Sequence, residues 1–148
     1  MIARLIFALL FSIQINCFGQ TAQDALSLLF FSFEAKDAQS ELIKSLDKLK
    51  DDDKFIANKL NSEYQSFILR TYGMEGLFYL YSLMSDQDKK TANKFMAAKS
   101  NSYIIQNGES LKILTELQSD SKLIDRNIEN LIKYIKSSTA KVKQFKYE

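Results

Sequence analysis

"IANKLNSEYQSFILRTYGMEGLFYLY", residues 56–81, decides how the chain is read. Ile56, Leu60, Tyr64, Phe67, Thr71, Met74, Phe78 and Tyr81 recur at steps of three and four. Such steps lay one apolar stripe along a helix, whereas a half-buried strand alternates at every second residue. The densest part, "TYGMEGLFYLYSLM" at 71–84, holds two of the four glycines and only one charge, Glu75. It keeps the helical period and has no turn signal ahead of it, so it reads as the C-terminal half of the same helix.

Working upstream, Leu28, Phe31, Ala35, Ala38, Leu42 and Leu49 alternate in the same way, with Leu46 near the missing place. Thr21 is the expected N-cap, with Asp24 three residues on as a variant of the capping box. Leu26, Leu29, Phe30 and Phe33 widen the apolar face there, marking an end that is either buried on several sides or sticky. "KDDDKF" at 50–55 separates this helix from the next. One aspartate is expected to cap the second helix while its neighbours face the positive end of the macrodipole. A Ca²⁺ loop needs alternating acids, a glycine and a distal glutamate, and the run has none of these.

Downstream, Ser85 and Asp88 open a third helix with Ala92, Phe95, Met96, Tyr103, Ile104, Leu111, Leu114 and Leu117 along it. Asn107-Gly108 is a turn signal, but the stripe resumes on the same face beyond it. A kink or loosened turn inside one helix is expected, with a true break as the alternative. Ile124, Ile128, Leu131, Ile135, Val142 and Phe145 line a fourth helix, with Ser138 in the regular place between. Its lysine-rich end suits a helix C-terminus in water, the alternative being a contact with a membrane surface or polyanion. Four long helices on short links predict an all-α fold, an antiparallel up-down four-helix bundle over 20–148 with coiled-coil-like seams.

The first residues, "MIARLIFALLFSIQINCFGQT", place Arg4 before an apolar run from Leu5 to Ile15 and then small or polar residues. That is the order of a cleavable secretory signal peptide, assigned to 1–19. Cys17 and Gly19 supply the small residues at −3 and −1, leaving Gln20 first in the exported chain, periplasmic or secreted. The alternative is a lipoprotein anchored through Cys17, although Gln14 stands where that pattern has a branched aliphatic. Contact with a membrane is expected only in that lipidated form.

Composition closes several chemistries. The chain has no histidine and one cysteine, Cys17, which cleavage removes. Imidazole acid/base catalysis, His-ligated zinc, a thiol nucleophile and a disulfide framework are then excluded. A formal net charge of +2 gives no basis for nucleic-acid binding. No catalytic residues, no metal site and no cofactor are expected. On the helix, Tyr72, Glu75 and Tyr79 share one face at spacings of three and four and form the candidate binding patch. Gly73 and Gly76 are expected to let a neighbouring helix pack closely.

Three functions remain. The first is an exported, non-enzymatic bundle that binds another macromolecule, most simply a protein, as an inhibitor, adaptor or immunity-type protein. The second is a carrier or holdase for apolar ligands, which needs a cavity lined by Phe30, Phe33, Phe67 and Phe78. The third is a carboxylate-dependent enzyme, which needs Glu75 or Glu63 buried and facing another acid.

Overall fold

Residues 20–144 are almost wholly helical in the computed structural model, which describes residues 20–145 and 147. Helix α1 is Gln20–Ser45, followed by a 3₁₀ turn at Leu46–Lys48. Helices α2, α3 and α4 are Asp51–Ser82, Asp86–Glu116 and Lys122–Gln144. The described residues contain no strand. The proposed signal peptide, with Cys17 and Gly19, lies outside them.

The helix ends correct two expectations. Gln20 is already helical, so Thr21 sits inside α1 and is not its N-cap. The N-cap of α2 is Lys50, with no side-chain cap bond, and Asp51, Asp52 and Asp53 fill the first turn instead. There they face the macrodipole, and Asp53 Oδ1 also accepts from Ser119 Oγ at 2.8 Å, tying the link before α4 to the start of α2. At α3 the expected box forms. Ser85 Oγ accepts from the Asp88 backbone N–H at 3.2 Å and donates to the Asp88 carboxylate at 2.6 Å.

The stripes read from the sequence become two apolar clusters, one at each end of the helices. One gathers Ala35 and Leu42 with Leu60 and Phe67, Leu114, and Ile128 and Leu131. The other gathers Ala25 and Leu28, Phe78 and Tyr81, Met96, and Val142 and Phe145. Between them in sequence, each helix buries a polar side chain: Ser32, Thr71, Asn107 and Ser138 are all 0% exposed.

That polar level is bonded across three helices. Tyr103 OH of α3 donates to Ser138 Oγ of α4 at 2.9 Å, and Ser138 Oγ donates to the Ile135 carbonyl at 3.1 Å. The Tyr103 proton being spent there, the 2.9 Å contact with Thr71 Oγ1 of α2 has threonine as donor. Beside this relay, Asn107 Nδ2 donates to Thr139 Oγ1 at 2.9 Å, and Arg70 Nε donates to Asn107 Oδ1 at 3.3 Å. Arg70 Nη2 reaches Ser110 Oγ at 2.9 Å. An asparagine inside a helix weakens it when its amide competes for local backbone groups. Here the amide is engaged by α2 and α4, and α3 runs helical through Asn107 and Gly108. The true break is therefore excluded.

α3 consequently buries a half-polar stripe of Met96, Ser100, Tyr103, Asn107, Ser110 and Leu114. Phe95, expected inside, is 51% exposed. No described buried side-chain nitrogen or oxygen lacks a partner. Replacing Tyr103 with Phe should strand the Thr71 hydroxyl, while Ser138 keeps its bond to the Ile135 carbonyl, and cost about 1–3 kcal/mol in urea denaturation. Adding Thr71→Val to that variant should recover much of the loss, because the stranded hydroxyl is then gone.

Candidate functional site

Tyr72, Glu75 and Tyr79 stand along one flank of α2, and each is placed by a different surrounding. Tyr72 is half-buried, its ring edge-on to Phe33 of α1 at 6.3 Å and 78°. Tyr79 is 45% exposed. Glu75 lies half-buried between them in sequence, and burial raises its carboxyl above the usual range. No neighbouring acid contributes to that shift. The flank therefore offers aromatic area around a carboxylate that gives up its proton reluctantly.

Phe33 belongs to this surface through its ring contact with Tyr72, and it is 43% exposed. Phe30, one turn earlier on α1, is 58% exposed. The sequence marks these two as part of a widened apolar face and as lining for a carrier's cavity, not as neighbours of Tyr72. What was missing was the pairing of α1 with α2, which no local pattern encodes.

Gly73 and Gly76 do not do what their spacing suggested. A Cβ built at either would meet no atom within 4 Å. They lie on the outer side of α2, between exposed Leu69 and Leu80, and no described helix packs closely against them. Both still carry the conformational cost of glycine in a helix interior.

The residues required by the other two readings do not come together. Phe67 and Phe78 are both 0% exposed but lie in separate clusters, Phe78 stacked on Phe145 at 3.9 Å. Phe30 and Phe33 face solvent. The four line no common cavity. Glu63 is half-buried and acts on Arg70, whose guanidinium burial pushes downward and Glu63 pulls back up. Tyr64 is the most perturbed phenol, pushed upward by burial and then by Tyr134 and Glu41. Its hydroxyl donates to the Asn127 carbonyl at 2.9 Å, which makes it a structural tie between α2 and α4. Among the described residues no three His, Cys, Asp or Glu side chains group in a way that would hold a metal ion. No described helix is long and apolar enough to cross a membrane.

Compared with protein-family models, curated proteins and solved structures, the chain finds no match in any of the three.

Because the space around it is open, Gly76→Ala should raise stability by about 1 kcal/mol in chemical denaturation, where a close-packed glycine would give a loss. Glu75 makes a pH-dependent prediction. Its folded carboxyl binds a proton more tightly than the unfolded one, so its contribution is most favourable in acid and fades as pH rises through the raised value. Glu75→Gln should therefore gain stability relative to the native chain as pH goes from about 4 to 7. Denaturation midpoints of the two proteins across that range would show it.

Proposed function

We propose that this is an exported, non-enzymatic protein, an antiparallel up-down four-helix bundle after removal of residues 1–19. It binds another macromolecule, a protein, in the cell envelope or outside the cell. Side-chain pairs support the up-down arrangement. α2 meets α3 through Tyr81 with Asn93 and through Thr71 with Tyr103, so the later residue on one pairs with the earlier on the other. Asp53 with Ser119, just past the end of α3, extends the same order. α1 meets α2 through Gln39 with Asn61 and Phe33 with Tyr72, again in opposed order.

The observation that carries the binding role is the flank of α2 bordered by α1. Tyr79 stays exposed there beside half-buried Tyr72, in a stretch of α2 whose one charge is Glu75, and Phe30 and Phe33 of α1 are exposed as well. Rigid amphipathic rings of this kind supply interface area at low entropic cost. A binder is supported over a carrier, since of the phenylalanines a ligand cavity would need Phe67 and Phe78 are packed in separate clusters and Phe30 and Phe33 face solvent. The half-buried Glu75 gives the surface a polar mark. A partner donating a hydrogen bond or a cation to it would offset the burial that now disfavours its charge.

The test is capture from envelope extract by immobilised exported protein and by a Tyr72→Ala, Glu75→Ala, Tyr79→Ala variant. Aromatic anchors often contribute about 2 kcal/mol or more each, so the variant should lose the captured species. Circular dichroism must show the variant still helical. Unchanged capture by a folded variant would remove the patch from the function.

A further inference from the structure

The outer face of α2 carries no charge along the length of the helix. Phe55, Leu69, Leu80 and the C-cap Leu83 lie on it, opposite buried Leu60, Phe67 and Phe78. Their exposures are 63%, 72%, 56% and 63%. Asn58, Ser62, Gln65 and Gly73, all exposed, and half-exposed Gly76 take the places between. At about 100° per residue these positions fall within a sector of about 80°. The solvent side of a surface helix is ordinarily its charged side, so an uncharged one with four exposed bulky residues marks an interaction surface.

The stripe reads the same from either end. From Leu69 the steps run four, three, four, three forward to Leu83 and four, three, four, three back to Phe55. An isologous contact requires such a pattern, because a two-fold axis sets residue i against j and j against i. An antiparallel second copy with the axis at Leu69 sets Phe55 on Leu83, Asn58 on Leu80, Ser62 on Gly76 and Gln65 on Gly73. Leu69 then meets its own counterpart. Bulky side chains thus pair at the centre and at both ends. A Cβ built at Gly73 or Gly76 meets nothing within 4 Å, so the backbone there leaves room for Gln65 and Ser62 of the other copy. Arg70, the charge next to the axis in sequence, is already bonded to Asn107 and Ser110 of its own chain. The stripe is about 43 Å long at 1.5 Å per residue, and a helix is about 10–12 Å across. Over two copies that is a footprint of roughly 900–1,000 Å², the size at which specific interfaces begin.

We propose that the protein is a two-fold homodimer in which two α2 helices pack antiparallel along this stripe, with Leu69 on the axis. An axis perpendicular to both helices keeps each flank on its own side. Tyr72, Glu75 and Tyr79 of the two copies therefore lie on one side of the pair, next to the interface. The dimer rests neither on the capture role of that flank nor on export. A different protein on the stripe fits less well, because matched halves serve nothing in a contact between unlike surfaces.

The test is sedimentation equilibrium of the purified protein at micromolar concentrations, with intact mass giving the mass of one copy. The expected species has twice that mass. Leu69→Glu sets two carboxylates against each other and should raise the dissociation constant at least about a hundredfold, and Leu69→Lys should do the same with two cations. Mixed in equal amounts, the two variants should recover the dimer, because each position 69 meets only its counterpart. Gly73→Glu should also lose the dimer, and since its site is open within one copy its circular dichroism should stay helical. A native protein with the mass of one copy would overturn the proposal and leave the stripe to a different partner. A Leu69→Glu variant that stays dimeric would overturn it as well, as would a charge-swapped mixture that stays monomeric.

Discussion

The Tyr103 hydroxyl is the point on which the interior depends. It accepts a hydrogen bond from Thr71 and donates one to Ser138, joining α2, α3 and α4 at the level between the two apolar clusters. A seam of near-heptad spacing has a weakness that this contact addresses. Apolar residues repeating every seven positions pack almost as well after a shift of one heptad. Such a shift would carry the Tyr103 hydroxyl away from Thr71 and Ser138 and break the relay, at about 1–3 kcal/mol for each buried hydroxyl left unpaired. The polar level therefore selects one alignment out of several that hydrophobic burial alone would accept.

Tyr64 does the same work one cluster away, donating to the Asn127 carbonyl while Asn127 Nδ2 bonds back to the Leu123 carbonyl at 2.8 Å. Arg70 completes the set from the edge, satisfying Asn107 and Ser110 with a guanidinium that burial already disfavours. Tyr103, Asn107 and Ser110 make α3 a helix with a polar seam, whereas α2 and α4 add a wide apolar area to the Tyr64–Asn127 bond.

How much of this the sequence disclosed follows from which physics leaves a local trace. The stripes of α2 and α4 were legible residue by residue, because Leu60, Phe67, Phe78, Ile128 and Leu131 mark their face by apolarity alone. α3 was legible as a helix, but its buried face was not. Ser100, Asn107 and Ser110 look like surface residues until Tyr147, Thr139 and Arg70 are brought to them from elsewhere in the fold. Gly73 and Gly76 misled in the opposite direction, since their spacing invites a close neighbour that the packing places elsewhere. In the candidate site Tyr72, Glu75 and Tyr79 were readable from helical spacing. The contribution of Phe33 required knowing which helix lies beside α2.

Beyond α4 the backbone continues into a small aromatic plug. Phe145 stacks on Phe78 and meets Tyr81 edge-on at 5.7 Å, and Tyr147 lies edge-on to Phe145 at 5.1 Å while its hydroxyl bonds Ser100 of α3. These residues follow all four helices in the chain, yet they complete the cluster in which α1 begins. A ribosome making this protein therefore releases α1, α2 and α3 before the side chains that seal their shared end exist. Until Phe145 and Tyr147 emerge, the nascent chain holds an open apolar core and cannot settle into its final packing.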